Sequence, residues 1–417
     1  MGYSKKKNIL LIVAAAFPYG SGETFLESEL EYHYKNFDEV IIFCSKKGHG
    51  TRVKINSDVK VEVFKDINPK LSFSLIFNIK TITEIFRYVF SKIFHFSFLG
   101  IKEIVNYLLI AKQKAKQIEN YVIDKKIKNE NLILYSTWMS DSSLAIAFLS
   151  QKHKLKSVCR AHRYDLYEEE NQFSYLPFRN IIVKRLDRIY FISQDGLDYF
   201  RDKYKNNSKL KLARLGVRSQ ELSSNQNNNK LIILSCAFVL QQKRLELIIE
   251  SISNISEIEI KWIHIGDTRD DNYWNILKKL ASNKFKSKQN LDYEFLGYMS
   301  NREILDFYKK NNIDLFINLS TSEGIPIAMM EAFSFGVPII ATNVGGVSEL
   351  IKDNKNGFLL NSQPSVFEVR DAIMKFASND KNQKVSFKKN AKETFQNSYN
   401  ASTNYSKFSQ DLKTLFK

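Results

Sequence analysis

What most constrains this chain is a rhythm that runs, stops once and restarts. Short apolar runs alternate with stretches of helical periodicity. In the first half the runs lie at Asn8–Ala14, Glu39–Cys44, Lys60–Phe64, Leu132–Tyr135, Lys156–Arg160, Arg188–Ile192 and Lys211–Leu215. Strands separated by helices must be joined by crossovers, which gives βαβ units and a mostly parallel sheet. Between Ser219 and Lys230 the rhythm is absent. Nine of these twelve residues are Ser, Asn or Gln, which is a linker composition. It resumes with runs at Leu231–Cys236, Glu259–Ile265, Asp292–Gly297, Ile313–Asn318, Val337–Ala341 and Gly357–Leu360. Helical patterns fall between them at Leu245–Ser253, Tyr273–Ala281, Arg302–Lys310, Ile325–Phe335 and Ser365–Ala377.

A chain of 417 residues is too long for one ordinary domain and suits two of about 200. The expected class is therefore α/β, with two doubly wound domains. Ligands of such sheets bind beyond the carboxyl ends of the strands, so a cleft between the domains is the expected site.

The first apolar run raises a rival reading. Ile9–Phe17 comes after Lys5, Lys6 and Lys7 and contains three alanines, as a secretory leader does. The next residues favour a buried first strand instead. Pro18 to Glu23 is a glycine-containing turn, and Thr24–Tyr32 has a helical pattern. No apolar run approaches the roughly 20 residues needed to cross a bilayer. The three cysteines, Cys44, Cys159 and Cys236, are far apart and sit in strand-like runs. Neither a disulfide framework nor a zinc site is expected, and a reducing cytoplasm fits.

Lys and Arg exceed Asp and Glu by 62 to 45, a net charge of +17, so an anionic partner is expected. Residues 80–116 hold seven Lys or Arg against two Glu, interleaved with phenylalanines. Such a stretch either lies on an anionic membrane surface or forms a core-packing helical hairpin with solvated lysines. Nucleic acid is disfavoured as the partner, because the basic residues are dispersed and no nucleic-acid module is recognisable.

Chemistry concentrates between Leu319 and Leu360. Ile313–Asn318 reads as a buried strand and Ser320–Gly324 as the loop at its carboxyl end. Pro326 suits an early helical position, where its missing N–H costs nothing. The backbone N–H groups there, with the helix dipole, suit phosphate. Glu323 lies on the loop and Glu331 about two turns along the helix. Two carboxylates repel a diphosphate but accept hydrogen bonds from sugar hydroxyls, each worth about 1.5–3 kcal/mol. Hydroxyls at both ends with phosphates between describe a nucleotide-sugar.

Ser320-Thr321-Ser322-Glu323-Gly324-Ile325-Pro326, Glu331 eight positions after Glu323, Gly336-Val337-Pro338 through Ala341-Thr342, and Gly345-Gly346 before Glu349 together resemble the donor site of glycosyltransferase family 4. The resemblance implies the GT-B fold: two Rossmann-like doubly wound domains facing across a cleft. It also implies retention of configuration, a nucleotide-diphosphate sugar as donor, and no metal or other cofactor. Glu323 would hold the sugar hydroxyls and Glu331 the ribose. Gly324, Ile325 and Pro326 would border the diphosphate. Lys243, in Gln241-Gln242-Lys243-Arg244, matches the lysine that clamps the diphosphate. The family commonly has an Arg five residues before that lysine, where this chain has Phe238. Either Arg244 substitutes or the diphosphate is held by fewer cations. His162, in Arg160-Ala161-His162-Arg163-Tyr164-Asp165, matches a histidine facing the reacting carbon. Asp165 is a helix-cap candidate. Gly20-Ser21-Gly22-Glu23 resembles the amino-terminal glycine loop, which puts Gly22 among the donor-binding residues. Gly266-Asp267 is expected to be a turn, and Asp270-Asp271 a solvated loop.

The subgroup resembled makes bacterial surface polysaccharides, often on polyprenyl-linked acceptors. The organisation implied is an acceptor-binding domain at 1–218 carrying the insert 80–116, a linker at 219–230, and a nucleotide-sugar-binding domain at 231–395. Residues 396–417 would form a helix packing back on the first domain. The expected partners are a nucleotide-sugar, a glycan or polyprenyl-linked acceptor and an anionic membrane surface, with no nucleic acid. The expected location is the cytoplasm, peripheral to the inner membrane face. The substitution at Phe238 leaves one alternative, an inactive GT-B protein serving as a membrane-surface scaffold.

Overall fold

The computed structural model describes residues 7–20, 22–45, 51, 59–67, 98–171, 175–205, 208–221, 230–268 and 270–416. It divides into two compact units, Met1–Leu215 with Ser402–Lys417, and Gly216–Ala401.

In the first unit the order is β1 (Ile9–Ala14), α1 (Phe25–Asn36), β2 (Glu39–Cys44), β3 (Val59–Val63), α2 (Phe98–Asp124), β4 (Leu132–Ser136), α3 (Asp141–His153), β5 (Lys156–Ala161), α4 (Arg179–Arg185), β6 (Arg188–Phe191), α5 (Gln194–Tyr204) and β7 (Leu210–Leu212). The sheet runs β3-β2-β1-β4-β5-β6-β7, and every pair is parallel. All six residues of β1 are buried, because a parallel strand is covered on both faces. The order reverses between β1 and β4, which opens the loops after those strands to a ligand.

The second unit continues with β8 (Leu231–Cys236), α6 (Leu245–Ser253), β9 (Ile260–Ile265), α7 (Asp271–Phe285), β10 (Leu291–Gly297), α8 (Asn301–Lys310), β11 (Leu315–Asn318), α9 (Ile327–Ser334), β12 (Ile339–Thr342), α10 (Val347–Leu350), β13 (Gly357–Leu360), α11 (Val366–Ser378) and α12 (Lys381–Ser398). Its parallel sheet runs β10-β9-β8-β11-β12-β13, with the reversal between β8 and β11. Both sheets are thus Rossmann-like, as the alternating rhythm requires. The chain then returns to the first unit as α13 (Ala401–Lys413). There Phe408 covers the guanidinium of Arg160 at 4.0 Å, and Ser409 Oγ lies 3.0 Å from His33 Nδ1. Arg160 is fully buried and ion-paired with the equally buried Glu29.

Several expectations need correction. Asp270 and Asp271 are not a solvated loop. Asp270 caps α7, its carboxylate accepting from Tyr273 N–H at 3.0 Å, so the helix starts earlier than its apolar pattern does. The basic segment 80–116 lies partly outside the described residues. Its described part opens α2, whose Ile104, Leu108, Ala111 and Ala115 enter the first core. Lys114 is no surface cation. It is 5% exposed and its ammonium stands 2.6 Å from Asp141. The three cysteines are free thiols.

Candidate functional site

The second unit gathers its candidates in loops at the carboxyl ends of its central strands. After β8 the chain makes a 3-10 turn, Gln241–Lys243, before α6. After β11 it runs through Ser320–Pro326 into α9. Thr321 N–H donates to Gln242 O at 2.8 Å and so joins the two loops. Across this joint Lys243 Nζ stands 2.5 Å from Glu323 Oε1. The same oxygen accepts from Ser320 Oγ at 2.6 Å and Asn318 Nδ2 at 3.3 Å. Glu323 is therefore held in place by its neighbours.

A third loop lies against these two. A Cβ on Gly345 would stand 2.0 Å from Glu323 O, and the residue sits at φ +50°, so only glycine fits. Gly346 N–H donates to Gly324 O at 3.0 Å. Gly266 is likewise demanded by contact: a Cβ there would meet Ala237 O at 1.8 Å. Its role is to let the loops after β8 and β9 cross, beyond that of a turn.

Arg244 has a different task from the one its sequence position suggests. Its Nε donates to Leu319 O, and its Nη2 donates to Ser320 O at 3.1 Å and Ser362 O at 3.0 Å. Those bonds make it a staple for carbonyls of the loops after β11 and β13. Phe238 is 52% exposed and supplies no polar group in place of the family's arginine. Pro326 precedes α9 as its cap residue, and Ile325 is buried. The first N–H groups of α9 lack intrahelical acceptors, as at any helix start.

Glu331 projects from α9 and is 5% exposed. Burial pushes its carboxyl up to about 7, and the hydrogen bond donated by Asn301 Nδ2 opposes that only in part. Asn301 opens α8 just after the capping residue Ser300, and no local sequence signal tied it to Glu331.

In the first unit the glycine loop after β1 is organised by Glu23. Its carboxylate accepts from three successive backbone N–H groups, Ala15 at 2.9 Å, Ala16 at 2.8 Å and Phe17 at 2.9 Å. It also accepts from Thr137 Oγ1 and Trp138 Nε1, each at 2.8 Å. Glu23 itself adopts φ +58°. Gly22 has open space where a Cβ would stand, so packing does not require glycine there. In the sequence Glu23 stands out only as the end of a glycine motif.

His162 lies beside this hub. Its ring is 4.4 Å from Trp138 and 5.0 Å from Phe25, centroid to centroid. Nε2 is 3.1 Å from Thr137 O, which makes it the protonated nitrogen of a neutral ring. Burial, and next the charge of Arg160, lower its pKa to about 3. Asp165 caps no helix. It accepts from His162 N–H at 2.6 Å and from Met139 N–H, tying the β5 loop to the β4 loop. Burial raises its pKa to about 6. Among the described residues no three His, Cys, Asp or Glu side chains converge to hold a metal ion. No helix among them is long and apolar enough to cross a membrane.

Comparison with known proteins bears on the family and the fold. The family described as "Glycosyl transferases group 1" matches residues 218–394. An uncharacterized glycosyltransferase of Methanocaldococcus jannaschii is 25% identical over 273 residues, covering 64% of this chain and 72% of the relative. The O-antigen biosynthesis glycosyltransferase WbnH of Escherichia coli is 28% identical over 185 residues, 41% of this chain and half of the relative. Among solved structures, Anabaena HepE in complex with UDP and glucose superposes with a TM-score of 0.67 at 14% identity, covering 97% of this chain and 99% of that one. Residues 218–394 are therefore a glycosyl transferases group 1 domain, in a chain that has the GT-B fold of two Rossmann-like units.

Proposed function

We propose that the protein is a retaining family 4 glycosyltransferase. It moves a hexose-type sugar from a UDP- or GDP-sugar to a glycan acceptor carried on a polyprenyl lipid, in bacterial capsule, exopolysaccharide or lipopolysaccharide synthesis. The observation that carries the reading is the Lys243–Glu323 pair, 2.5 Å apart and itself built into three interlocked loops. Such a pair presents one cation for phosphate and one carboxylate for hydroxyls. The O-antigen relative and the UDP- and glucose-bound neighbour support the choice of donor class and pathway type.

In this reading the C1–O bond to the diphosphate breaks and a bond from the acceptor oxygen to C1 forms on the same face. The departing phosphate takes the acceptor proton. Lys243 and the start of α9 stabilise the charge growing on that phosphate, which is ordinarily the largest catalytic term. Glu323 orients the sugar and Glu331 the ribose. Neutral His162 offers hydrogen bonding without competing for the proton. Lys243 and the start of α9 do the work of a metal. The enzyme works in the cytoplasm, held peripherally at the inner membrane face by its basic surface.

A thermal-shift screen of UDP- and GDP-sugars tests the donor. A ligand at 100 times its Kd stabilises by about 2.7 kcal/mol, so a true donor stands out. No shift with any nucleotide or nucleotide-sugar would overturn the reading.

A further inference from the structure

The second unit has a cavity of about 410 Å³ at the far end of its sheet from the donor loops. Ile313, just before β11, and Phe335 and Val337, just before β12, form an apolar floor. The donor loops follow those strands instead. The volume is within the range of small-molecule sites. The rim is α12. Val385, Lys388, Lys389 and Lys392 line the cavity and recur at spacings of three and four, so they share one face of that helix. Phe387, Ala391 and Phe395 take the buried face. Val385 is left 52% exposed beside the floor.

The charges around the cavity do not cancel. Lys384, one turn before Lys388, donates to Ala377 O at 2.8 Å, and Lys392 donates to the carbonyls of Ser334 and Gln220. Those acceptors are neutral, so both positive charges remain. Lys389 stands 3.8 Å from Glu393, but both side chains are exposed and water weakens the pair. Asp314 is the other acid nearby. Its carboxylate accepts from Ile232 N–H at 3.0 Å and feels Lys388 and Lys384 without forming an ion pair with either. Four lysines thus meet two carboxylates. Lys388 is half-buried and makes no hydrogen bond or ion pair among the described residues. An anion that reaches it gains a charge-assisted hydrogen bond next to an apolar surface, where that bond is strong.

We infer that this cavity binds an amphiphilic anion. A phosphate or carboxylate head meets Lys388, with Lys389 beside it, and a short apolar body covers Ile313, Phe335, Val337 and Val385. A nucleotide-sugar matches poorly, because its hydroxyls would be left unpaired against that floor. A bilayer lipid and a free acyl anion both present the chemistry required. The site is separate from the donor loops and does not depend on how they are read.

Calorimetric titration of the full chain with octyl phosphate, below its micelle concentration, tests this. Inorganic phosphate supplies the head alone and octyl glucoside a neutral head on the same tail. Lys388→Gln removes no bond and Val385→Glu alters an exposed position, so both variants are expected to melt like wild type. Octyl phosphate is expected to bind at least tenfold more tightly than either control probe. It should weaken about tenfold in Lys388→Gln and at least as much in Val385→Glu, and stay unchanged in Lys243→Ala. No binding, equal binding of octyl glucoside, binding that ignores both α12 substitutions, or loss in Lys243→Ala instead would overturn the inference. Co-sedimentation with phosphatidylglycerol vesicles, against phosphatidylcholine, separates the sources. A drop in Lys388→Gln assigns a bilayer lipid, and no drop alongside tight octyl phosphate binding assigns a free anion.

Discussion

Lys243 Nζ and Glu323 Oε1 lie 2.5 Å apart, each largely buried. The group proposed for the phosphate and the group proposed for the sugar thus neutralise one another. The pair keeps both side chains in place at no net charge. It also means that truncating one partner strands the other.

Lys243→Ala is accordingly expected to lower kcat by about 10²–10³, the range for removing one group that stabilises transition-state charge. Binding of a neutral nucleoside should change little, because charge on the diphosphate grows only as the glycosyl bond breaks. Steady-state kinetics beside nucleoside titration measures both. Wild-type turnover in Lys243→Ala would remove the lysine from the mechanism.

Glu331 is expected to make donor binding pH-dependent. Its carboxyl is raised from the usual range to about 7 by burial, so much of it is protonated at neutral pH. Ribose hydroxyls hydrogen-bond best to the ionised form, so donor affinity should climb as pH rises from about 6 to 8 and then level off. The stability term has the opposite sign. A raised folded-state pKa contributes stability below about 4.5, the unfolded value, and that contribution is lost as pH rises through about 7. Glu331→Gln should bind donor about 10–100-fold more weakly at high pH and show a flat profile. Calorimetric titration at several pH values decides it, and an unchanged slope in the Gln variant would mean another group titrates.

Glu23→Gln tests the hub of the first unit. One carboxylate receives three backbone N–H groups, a hydroxyl and an indole. An amide offers one acceptor oxygen and turns two N–H groups toward other donors. Each buried donor left unpaired costs about 1–3 kcal/mol, so a loss of stability on the order of 3 kcal/mol is expected. The urea midpoint measures it. A midpoint within error of wild type would mean the loop does not depend on this residue.

EDTA treatment of protein stripped of divalent ions should leave transfer unchanged, since Lys243 and the start of α9 are proposed to neutralise the diphosphate. A strict dependence on magnesium or manganese, read from initial rates, would refute that proposal.

The sequence made the skeleton legible for a physical reason. Buried parallel strands are covered on both faces, so Leu231–Cys236 and Glu39–Cys44 read as unbroken apolar runs and appear with those bounds in the structure. The interlocking of Gly345 with Glu323 also arises within the local motif. What escaped is what long-range contact decides. Asn301 and Glu331 are 30 positions apart and meet only because α8 and α9 share a sheet end. Lys114 looked like one of many surface lysines until Asp141, on a different helix, closed on it. Arg244 looked like a phosphate ligand because nothing local reveals that the carbonyls of Leu319, Ser320 and Ser362 surround it.

The return of α13 to the first unit has a consequence for how the chain is made. Gly216–Ala401 is continuous, whereas the first unit needs Ser402–Lys417 to be complete. During synthesis from the amino terminus, Arg160 and Glu29 emerge early. Phe408 and Ser409, which seal Arg160 and His33 from water, arrive only after the whole second unit. The second unit has its full complement of strands before then. In birth order the protein is a late-closing frame interrupted by an earlier-finished insert, and its buried charges wait in a half-built core until α13 has followed the second unit out of the ribosome.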